Sequence, residues 1–467
     1  MEDSKNSFDR RKFIRSSALV GAFLGLPGAA AFGKSDVDRA LEKMSEKRPS
    51  YGKSVIGLKT EPIEQVNVAF IGVGNRGSSH VKHMAALHPK AKITAICDIR
   101  DEYAQKSVDF AKEMGQNPKK YSGTEEAWKD MVKRDDIDLV IISTPWEDHV
   151  PMCVYAMQQG KHAAVEVPAA YTVEDCWKLV DTAEETQRNC MMLENVCYGN
   201  EELTLLQMVD QGYFGTLTHG EAAYIHDLRH SMFSKTGYYN QWRIRHHVKY
   251  DGNLYPMHGL APVAQYMDIN RGDRFNHLVS MSSLEANLSE YAKTIEPDNE
   301  FYKHTDFKHG DMNMTLIKTA KGRTIMVQHD VASPRVYSRI NAISGTKAYH
   351  EGYPSRLSVN GKHDWLTEAE HAEVFEKYKH PIWNRLKDEI AKHGGHGGMD
   401  FVLLYRLIDG FNQGRALDMD VYDAADWSVV TPLSGISIQK GNAPVKFPDF
   451  TRGNWKEERA LGIMENV

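Results

Sequence analysis

The sequence predicts an α/β protein of two folded domains, of which the first is a doubly wound parallel sheet of the Rossmann type. Residues 65–194 alternate strands with helices, and the short apolar run Leu139–Ser143 is typical of a parallel strand buried on both faces. Beyond residue 195, runs such as Thr324–Asp330 are typical of an antiparallel sheet with one solvated face. Residues 195–467 are therefore predicted as an α+β domain with an open, mainly antiparallel sheet.

The individual elements follow from hydrophobic periodicity and from turn residues. Strands of the first domain are predicted at Val66–Gly72, Ala91–Cys97, Leu139–Ser143 and His162–Val167. Its helices are predicted at Ser78–Leu87, Glu102–Met114, Val150–Gln159 and Thr172–Gln187, the last with a capping box. Strands of the second domain are predicted at Gly220–Ile225, His277–Ser283, Met312–Thr319 and Thr324–Asp330. Its helices are predicted at Phe401–Asn412 and Tyr422–Ser437.

The first 33 residues carry the features of an export signal. Arg10 and Arg11 are followed by Phe13 and by an apolar stretch, 18–31, that ends in small residues. This order is typical of a bacterial twin-arginine signal peptide, here residues 1–33, which exports proteins already folded around a cofactor. We expect a periplasmic or cell-surface protein with no membrane span in its mature form, and a linker or loosely packed arm at 34–64.

Composition excludes several classes of partner and site. The formal net charge of −6 argues against nucleic acid or an anionic membrane surface as the main partner. The five cysteines are odd in number and include no C-x-x-C pair, which favours small buried side chains over disulfides or zinc. His393 and His396 stand among glycines and have no third ligand marked by spacing, so we expect a tight loop near a cofactor and no metal. Self-association into a homo-oligomer is left open.

A glycine-rich turn predicts a dinucleotide site. Gly72, Gly74 and Gly77 fit G-x-G-x-x-G between the first strand and the first helix. The first glycine allows the tight turn, the second lets the backbone approach a pyrophosphate, and the third lets helix and strand pack closely. Asp98 ends the second strand, where a carboxylate accepts the adenosine ribose hydroxyls. An acidic residue there favours NAD over NADP, since it repels a 2′-phosphate.

Two further polar stretches end strands at the same edge of the sheet. Residues 143–149, Ser-Thr-Pro-Trp-Glu-Asp-His, follow the third predicted strand, and Glu166-Val167-Pro168 closes the fourth. Ligands bind at the carboxyl edge of such sheets. Taken by itself, the first stretch could be a turn with a helix cap. Taken by itself, Glu166 could be a solvated strand end.

Together these motifs resemble the Gfo/Idh/MocA oxidoreductase family, which joins a nucleotide-binding domain to an open-faced α/β substrate domain. Many dehydrogenases of that family carry Glu-Lys-Pro at this strand end, and the lysine takes part in proton transfer. Val167 stands in the place of that lysine, so the usual acid–base residue is missing. Glu166 can still hold the nicotinamide ribose or amide.

The second half is similar to glycoside hydrolase family 109, whose members are NAD-dependent α-N-acetylgalactosaminidases on the same scaffold. The similarity lies in residues 193–198, 226–229, 241–243, 254–259, 267–272, 396–400 and 420–423. It implies NAD contacts from Asn75, Arg76, Asp98, Trp146, Glu147, Asp148, His149, Glu166, Val167, Asn195 and Tyr255. It implies sugar contacts from Tyr224, Arg243, Tyr255, Pro256, Met257, His258 and Tyr337.

Three residues are candidates for proton transfer: His258, Tyr255 and Tyr198. A histidine titrates near neutral pH, and a tyrosine can serve the 3-hydroxyl proton or stabilise an enolate. The sequence leaves the division of labour among the three open. Read singly, His258 could cap a helix, Arg243 could form a surface ion pair, Tyr224 could be a packed strand residue and Tyr337 could sit in an interface.

The resemblance implies an exo-acting glycosidase that releases terminal α-linked N-acetylgalactosamine from a glycan. The route is oxidation at C3 by NAD, loss of the C2 proton with elimination of the C1 substituent, addition of water and reduction. An NAD-dependent sugar dehydrogenase with net product oxidation is the alternative on the same scaffold. A third possibility is a non-catalytic sensor of a sugar or a nucleotide. The histidine, tyrosine and arginine residues predicted at the sugar site argue against it.

Overall fold

The computed structural model describes residues 48–465. The predicted signal peptide, residues 1–33, and the first part of the predicted arm, residues 34–47, lie outside this range. Within it, no helix is long and apolar enough to cross a membrane.

The N-terminal domain is built on a six-stranded parallel sheet in the order β3-β2-β1-β4-β5-β6. This is the order of a Rossmann sheet, which reverses between β1 and β4, so the predicted fold class is confirmed. The strands are β1 (Val66–Ile71), β2 (Ala91–Asp98), β3 (Lys119–Ser122), β4 (Leu139–Ile142), β5 (His162–Val165) and β6 (Cys190–Met192). The helices are α1 (Asn75–Ala86), α2 (Asp101–Glu113), α3 (Ala127–Val132), α4 (Trp146–Gln158) and α5 (Val173–Thr186).

The C-terminal domain is built on an eight-stranded sheet in the order β13-β12-β11-β7-β10-β9-β8-β14. Only β7 and β10 pair in parallel, which confirms a mainly antiparallel sheet in the part of the chain described. On β9, Met314, Leu316 and Lys318 are exposed while the residues between them are buried, so one face is open. The strands are β7 (Leu217–Ile225), β8 (Phe275–Ser282), β9 (Asn313–Thr319), β10 (Thr324–Asp330), β11 (Ala342–Gly345), β12 (Ala348–Glu351), β13 (Arg356–Val359) and β14 (Val445–Lys446).

Eleven α-helices of the described residues belong to this domain. The first six are α6 (Asn200–Asp210), α7 (Arg229–Phe233), α8 (Trp242–Lys249), α9 (Met257–Tyr266), α10 (Asn287–Ala292) and α11 (Glu368–Tyr378). The others are α12 (Pro381–Arg385), α13 (Lys387–His393), α14 (Met399–Asn412), α15 (Val421–Gln439) and α16 (Gly462–Glu465). Short 3₁₀ helices lie at Asn195–Tyr198, Tyr239–Gln241, His396–Gly398 and Asn454–Lys456.

Two predicted helix starts were wrong in a way that matters for the site. Helix α1 begins at Asn75 and not at Ser78, and α4 begins at Trp146 and not at Val150. Glycine and proline at these positions resemble a loop in sequence, although both residues are tolerated in a first helical turn. The motif residues therefore form helix N-termini at the carboxyl edge of the sheet, where backbone N–H groups lack partners.

The last two long helices return to the N-terminal domain. Helix α14 packs on α1, and α15 packs between α5 and β8. The described part of the arm, 48–64, follows them: Val55 is buried and its N–H donates to the Tyr422 hydroxyl at 3.2 Å. The two domains are thus joined by extensive packing.

Candidate active site

The glycine-rich turn has the geometry of an anion site. Gly72 has a φ of +79°, which a glycine adopts without strain. A Cβ on Gly77 would lie 1.9 Å from the Gly72 carbonyl oxygen, so only glycine permits this approach of helix to strand. Helix α1 starts from Gly74 with no side-chain cap and no acidic residue in its first turn. Its free N–H groups are suited to a pyrophosphate.

Asp98 braces this turn at the end of β2. Its carboxylate accepts hydrogen bonds from the backbone N–H of Val73 at 2.8 Å and of Arg100 at 2.9 Å. The side chain is buried but lines the cavity, where a ribose can reach it. A nicotinamide dinucleotide fits these three features together: a glycine-rich turn, a helix start with no side-chain cap and a carboxylate at the end of β2.

One cavity of about 1430 Å³ joins this turn to the C-terminal domain. A site for one small molecule typically occupies roughly 300–1,000 Å³, so there is room for two ligands. The predicted site residues that line it are Gly72, Gly74, Asn75, Arg76, Asp98, Trp146, Asp148, His149, Glu166, Val167, Asn195, Tyr224, Arg243, Tyr255, His258 and Tyr337. The predicted site residues that do not line it are Gly77, Glu147, Tyr198, Pro256 and Met257.

The structure does not place Tyr198, a predicted catalytic residue, in the lining of the cavity. Its side chain is buried, its hydroxyl donates to Asp418 at 3.1 Å, and its carbonyl oxygen accepts from the Trp383 indole at 3.2 Å. Burial, with Asp418 beside it, raises the pKa of Tyr198 well above its ordinary value. Tyr198 is a packing residue that anchors the 3₁₀ helix after β6.

Three other predicted contacts are also corrected. Met257 is fully buried and Pro256 is buried beside it, so this pair starts α9 and positions its neighbours without meeting a ligand. The Glu147 carboxylate lies 3.2 Å from Nε2 of His246, and this close contact lowers the pKa of Glu147. Glu147 therefore fixes α8 against the start of α4.

Glu166 is the centre of an ion-pair network and not a solvated strand end. Its Oε1 accepts from Nε of Arg76 at 2.8 Å and from Nε2 of His80 at 2.6 Å. The two terminal nitrogens of Arg76 donate to Asp400 at 2.7 and 2.9 Å. Burial acts to raise the pKa of Glu166, but Arg76 and His80 hold it well below its ordinary range.

Asp400 is a site residue that the sequence analysis did not single out. This buried carboxylate at the start of α14 also accepts from Asn195 Nδ2 at 2.7 Å and from His396 Nδ1 at 2.7 Å. Burial opposes its charged form, yet its hydrogen bonds to His396 and Arg76 hold the pKa of Asp400 well below the ordinary value. Its place in the stretch 396–400 was the available signal. His396 lines the cavity, as expected of a loop near the cofactor.

Two segments of the C-terminal domain, one at Gly237 and one at Asp400, bind the consecutive residues Asn75 and Arg76 at the start of α1. Arg76 is bound by Asp400, and Asn75 Nδ2 donates to the carbonyl oxygen of Gly237 at 2.9 Å. Residues 236–240 and His396 line the cavity beside this turn. The C-terminal domain therefore forms part of the wall of the dinucleotide cleft.

The other end of the cavity is lined by aromatic rings around a buried arginine. Arg243 lies 4.9 Å from the ring centre of Tyr255, which lies 4.7 Å from that of Tyr224. Burial raises the pKa of both tyrosines, so they are hydrogen-bond donors at neutral pH. Nε and Nη2 of Arg243 make no hydrogen bond within residues 48–465. A buried guanidinium of this kind is available to ligand oxygens.

His258 is oriented by a carboxylate that the sequence analysis missed. Glu194 is fully buried at the end of β6, and its two oxygens lie 2.7 and 3.0 Å from Nδ1 of His258. Donation from Nδ1 leaves Nε2 to exchange a proton with a ligand, as in other carboxylate–histidine pairs. The ring of Tyr255 lies 4.9 Å away. The available sequence signal was the place of Glu194 in the stretch 193–198, one of those that carry the family resemblance.

A nucleotide turn at the reversal point of a Rossmann sheet, joined in one cavity to histidine, tyrosine and arginine, defines an enzyme that works with a nicotinamide dinucleotide. The family model of the oxidoreductase family, NAD-binding Rossmann fold, matches residues 66–194, and that of glycosyl hydrolase 109, C-terminal domain, matches residues 198–457. The chain belongs to glycosyl hydrolase family 109 and is a glycoside hydrolase.

Relatives agree with this assignment over nearly the whole chain. A Shewanella oneidensis protein named alpha-N-acetylgalactosaminidase is 48% identical over 98% of this chain and 99% of its own length. A glycosyl hydrolase family 109 protein of Shewanella pealeana is 48% identical with the same coverage. Among solved structures, levoglucosan dehydrogenase in complex with NADH is similar with a TM-score of 0.60 and 17% identity, over 82% of this chain and 100% of that one. That likeness shows the fold.

Proposed function

We propose that this enzyme releases terminal α-linked N-acetylgalactosamine from glycans and uses bound NAD that it regenerates in each turnover. The name and 48% identity of the Shewanella oneidensis relative support the substrate. One observation carries the mechanism. Most glycosidases use two carboxylates across the bond, but among the described residues the sugar end of this cavity is lined by His258, Tyr255, Tyr224 and Arg243.

When bound, NAD supplies a reversible acceptor for the hydride of C3 of the sugar. The protein's residues manage the proton and the charge. The C3 ketone makes the proton on C2 acidic. His258, which Glu194 holds through Nδ1, removes this proton through Nε2. Arg243 and the protonated Tyr255 donate hydrogen bonds to the oxygen on C3, where negative charge collects. The C1 substituent leaves as a double bond forms between C1 and C2. Water adds to C1 while C2 regains a proton, and return of the hydride to C3 restores the hydroxyl.

Val167 is consistent with this division. It is buried, lines the cavity and has no titratable group. The acid–base group comes from α9 of the C-terminal domain, beside Tyr255. The cofactor cleft is walled by residues 236–240 and His396, which favours retention of NAD between turnovers.

The test is an assay of the purified protein on an aryl α-N-acetylgalactosaminide with no added NAD. Release of N-acetylgalactosamine without a rise in NADH absorbance supports the proposal. Stoichiometric NADH would instead indicate a sugar dehydrogenase, and the absence of both would indicate a sensor. The denatured protein should release one dinucleotide per chain, since a redox-neutral cycle never requires its exchange.

We expect Glu194→Gln to lower kcat about 10- to 100-fold, because the amide no longer fixes His258 with a charged partner. KM for the sugar and the NAD content should stay close to those of the wild type, since Glu194 does not line the cavity. Glu184→Gln is the matched control, because Glu184 is equally buried but bonds to Tyr422 and Arg452. Equal kcat values in the two variants would contradict the positioning role of Glu194.

We also propose that the protein is exported by the twin-arginine route. Replacing Arg10 and Arg11 together by lysine should leave folded, NAD-loaded enzyme in the cytoplasm, because the route requires the arginine pair. Activity measured in periplasmic and cytoplasmic fractions reports the result. Undiminished activity in the periplasm would point to the general secretory route.

A further inference from the structure

Two residues that line the cavity, Tyr337 and Arg339, form a contiguous surface with the adjoining Tyr353, and the proposed reaction does not use the three as a unit. We call them the mouth cluster. The ring of Tyr353 lies 5.8 Å from that of Tyr337, and the Arg339 guanidinium lies 5.2 Å from the centre of the Tyr353 ring. Each tyrosine is 38% exposed, so both rings offer surface to solvent.

The mouth cluster is held in place from behind. Arg339 Nη2 donates to the buried carboxylate of Glu202 at 2.7 Å, and its Nη1 donates to the Tyr337 hydroxyl at 3.0 Å. These two bonds leave further N–H donors of the guanidinium free for a ligand. A fixed guanidinium between two half-exposed rings is preorganised, because little side-chain entropy remains to be lost on binding.

The backbone that presents the mouth cluster is strained. Ile340 and Tyr353 have φ values of +59°, and Asn341 has a φ of +52°. A left-handed conformation is rare for a β-branched residue such as isoleucine. The N–H of Gly352 donates to the carbonyl oxygen of Ile340 at 2.8 Å, which ties the two strained segments together. Strain of this kind persists mainly where it serves a site.

The mouth cluster continues the sugar-binding wall outward. The Tyr224 hydroxyl lies 3.3 Å from His226 Nδ1, and the His226 ring lies 5.1 Å from the ring of Tyr337. An exo-acting enzyme buries the terminal sugar, so the rest of the glycan must leave through the mouth. The residue next to the scissile bond therefore passes the mouth cluster.

We propose that the mouth cluster is a subsite for the second sugar of the glycan, the hexose that carries the terminal N-acetylgalactosamine. This inference rests on the proposed function. A pyranose has an apolar C–H face that packs on an aromatic ring and a rim of hydroxyls that accept hydrogen bonds. Tyr353 and Tyr337 supply the rings, and Arg339 supplies donors only. The subsite selects a neutral or anionic hexose and disfavours a cationic aglycone.

The test compares kcat/KM on two substrates: a disaccharide in which N-acetylgalactosamine is α-linked to galactose, and methyl α-N-acetylgalactosaminide, whose aglycone is too small to cover the mouth cluster. The readout is the ratio of the two values. Tyr353→Ala should lower this ratio about 3- to 10-fold, the range of an aromatic contact. Tyr353→Phe, which keeps the aromatic ring, should have the same ratio as the wild type. Trp365→Ala is the matched control, since Trp365 is also 38% exposed but its ring contacts Tyr349 and Arg356 and not the mouth cluster.

A ratio that is the same in Tyr353→Ala and in the wild type would overturn the subsite, whether or not both rates fall together. A ratio that falls equally in Trp365→Ala would overturn it as well, because the effect would then be general to the sheet. Failure of the proposed function looks different: wild-type enzyme would hydrolyse neither substrate.

Discussion

Replacing His258 by alanine is expected to lower kcat about 10²- to 10⁴-fold, the usual contribution of general acid–base catalysis. His258 lines the cavity, and Glu194 engages its Nδ1 at 2.7 Å. The variant removes the group that takes the C2 proton, while the dinucleotide turn is untouched because it lies on β1 and α1. NAD content, measured after denaturation, should therefore equal that of the wild type.

Turnover in D₂O separates this reaction from ordinary glycoside hydrolysis. The proton that His258 removes from C2 exchanges with solvent before it is replaced, so the released sugar should carry deuterium at C2. Mass spectrometry measures the incorporation and NMR locates it. A two-carboxylate hydrolase leaves the C2–H bond intact.

His219→Ala is the matched control for the His258 variant. His219 lies on β7 outside the cavity and hydrogen-bonds to Thr324 at 2.8 Å. Its loss should leave kcat and the C2 label unchanged. Wild-type product without deuterium at C2 would rule out the elimination route, and His258 would then be a residue that only binds the sugar.

The parts of the fold that the sequence predicted correctly are encoded locally. A buried parallel strand such as Leu139–Ile142 is a run of apolar residues because both of its faces are covered. Strand β3, Lys119–Ser122, was missed because it is an edge strand of polar residues, so no burial pattern marks it. Many short elements between residues 200 and 400 were missed for a related reason: tertiary packing and not local pattern defines them.

The candidate site was predictable where a ligand motif lies within one strand–turn–helix unit. Gly72, Asn75 and Asp98 are of this kind. Glu194 and Asp400 were missed because their function is to hold another side chain, His258 or Arg76, that is distant in sequence. Tyr198 was assigned to the site because it belongs to the stretch 193–198 that resembles the family, but its hydroxyl donates to Asp418 and its carbonyl oxygen accepts from Trp383.

Mild acid is expected to unfold this protein, because many histidines are buried in their neutral form. Burial lowers the pKa of His83, His162 and His380 to about 4 and that of His350 to about 3. Burial likewise lowers the pKa of four more residues, His149, His247, His309 and His329. In the unfolded chain each of these titrates near pH 6.5.

The direction of the effect follows from proton uptake. The unfolded chain binds protons at these sites once the pH falls below about 6.5, whereas in the folded chain His83, His162, His350 and His380 bind them only near pH 4 or below and the other four bind them at a lower pH than in the unfolded chain. Each histidine therefore withdraws about 1.4 kcal/mol of stability per pH unit across this window. Asp426 and Glu201 act in the opposite direction, because burial raises the pKa of Asp426 to about 8 and that of Glu201 to about 7. Burial also raises the pKa of Asp420, to about 6, and that of Asp148, Asp181 and Asp268, so these carboxyl groups offset part of the effect of the eight histidines.

Three of these histidines lie next to the active site, so the loss of stability at low pH also involves the active site. The rings of His247 and His309 lie 4.5 Å apart, and that of His329 lies 4.9 Å from His309. His329 also stacks on Tyr224 at 6.4 Å. Burial is the largest cause of the lowered pKa of His247 and His329, and neighbouring histidines and the charge of Arg243 lower it further. Protonation of this group would place a second buried positive charge beside Arg243 behind the sugar-binding wall.

We expect the free energy of unfolding to fall as the pH is lowered from 6.5 toward 4, by an amount that is large against a typical total of about 5–15 kcal/mol. Urea titrations followed by circular dichroism at pH 7, 6 and 5 measure this slope. His329→Gln should reduce it by about one proton, or 1.4 kcal/mol per pH unit, whereas His219→Gln, on the more exposed face of β7, should leave it unchanged. Equal stability at pH 7 and pH 5 would contradict this prediction, because the folded and the unfolded chain would then take up the same number of protons in this range.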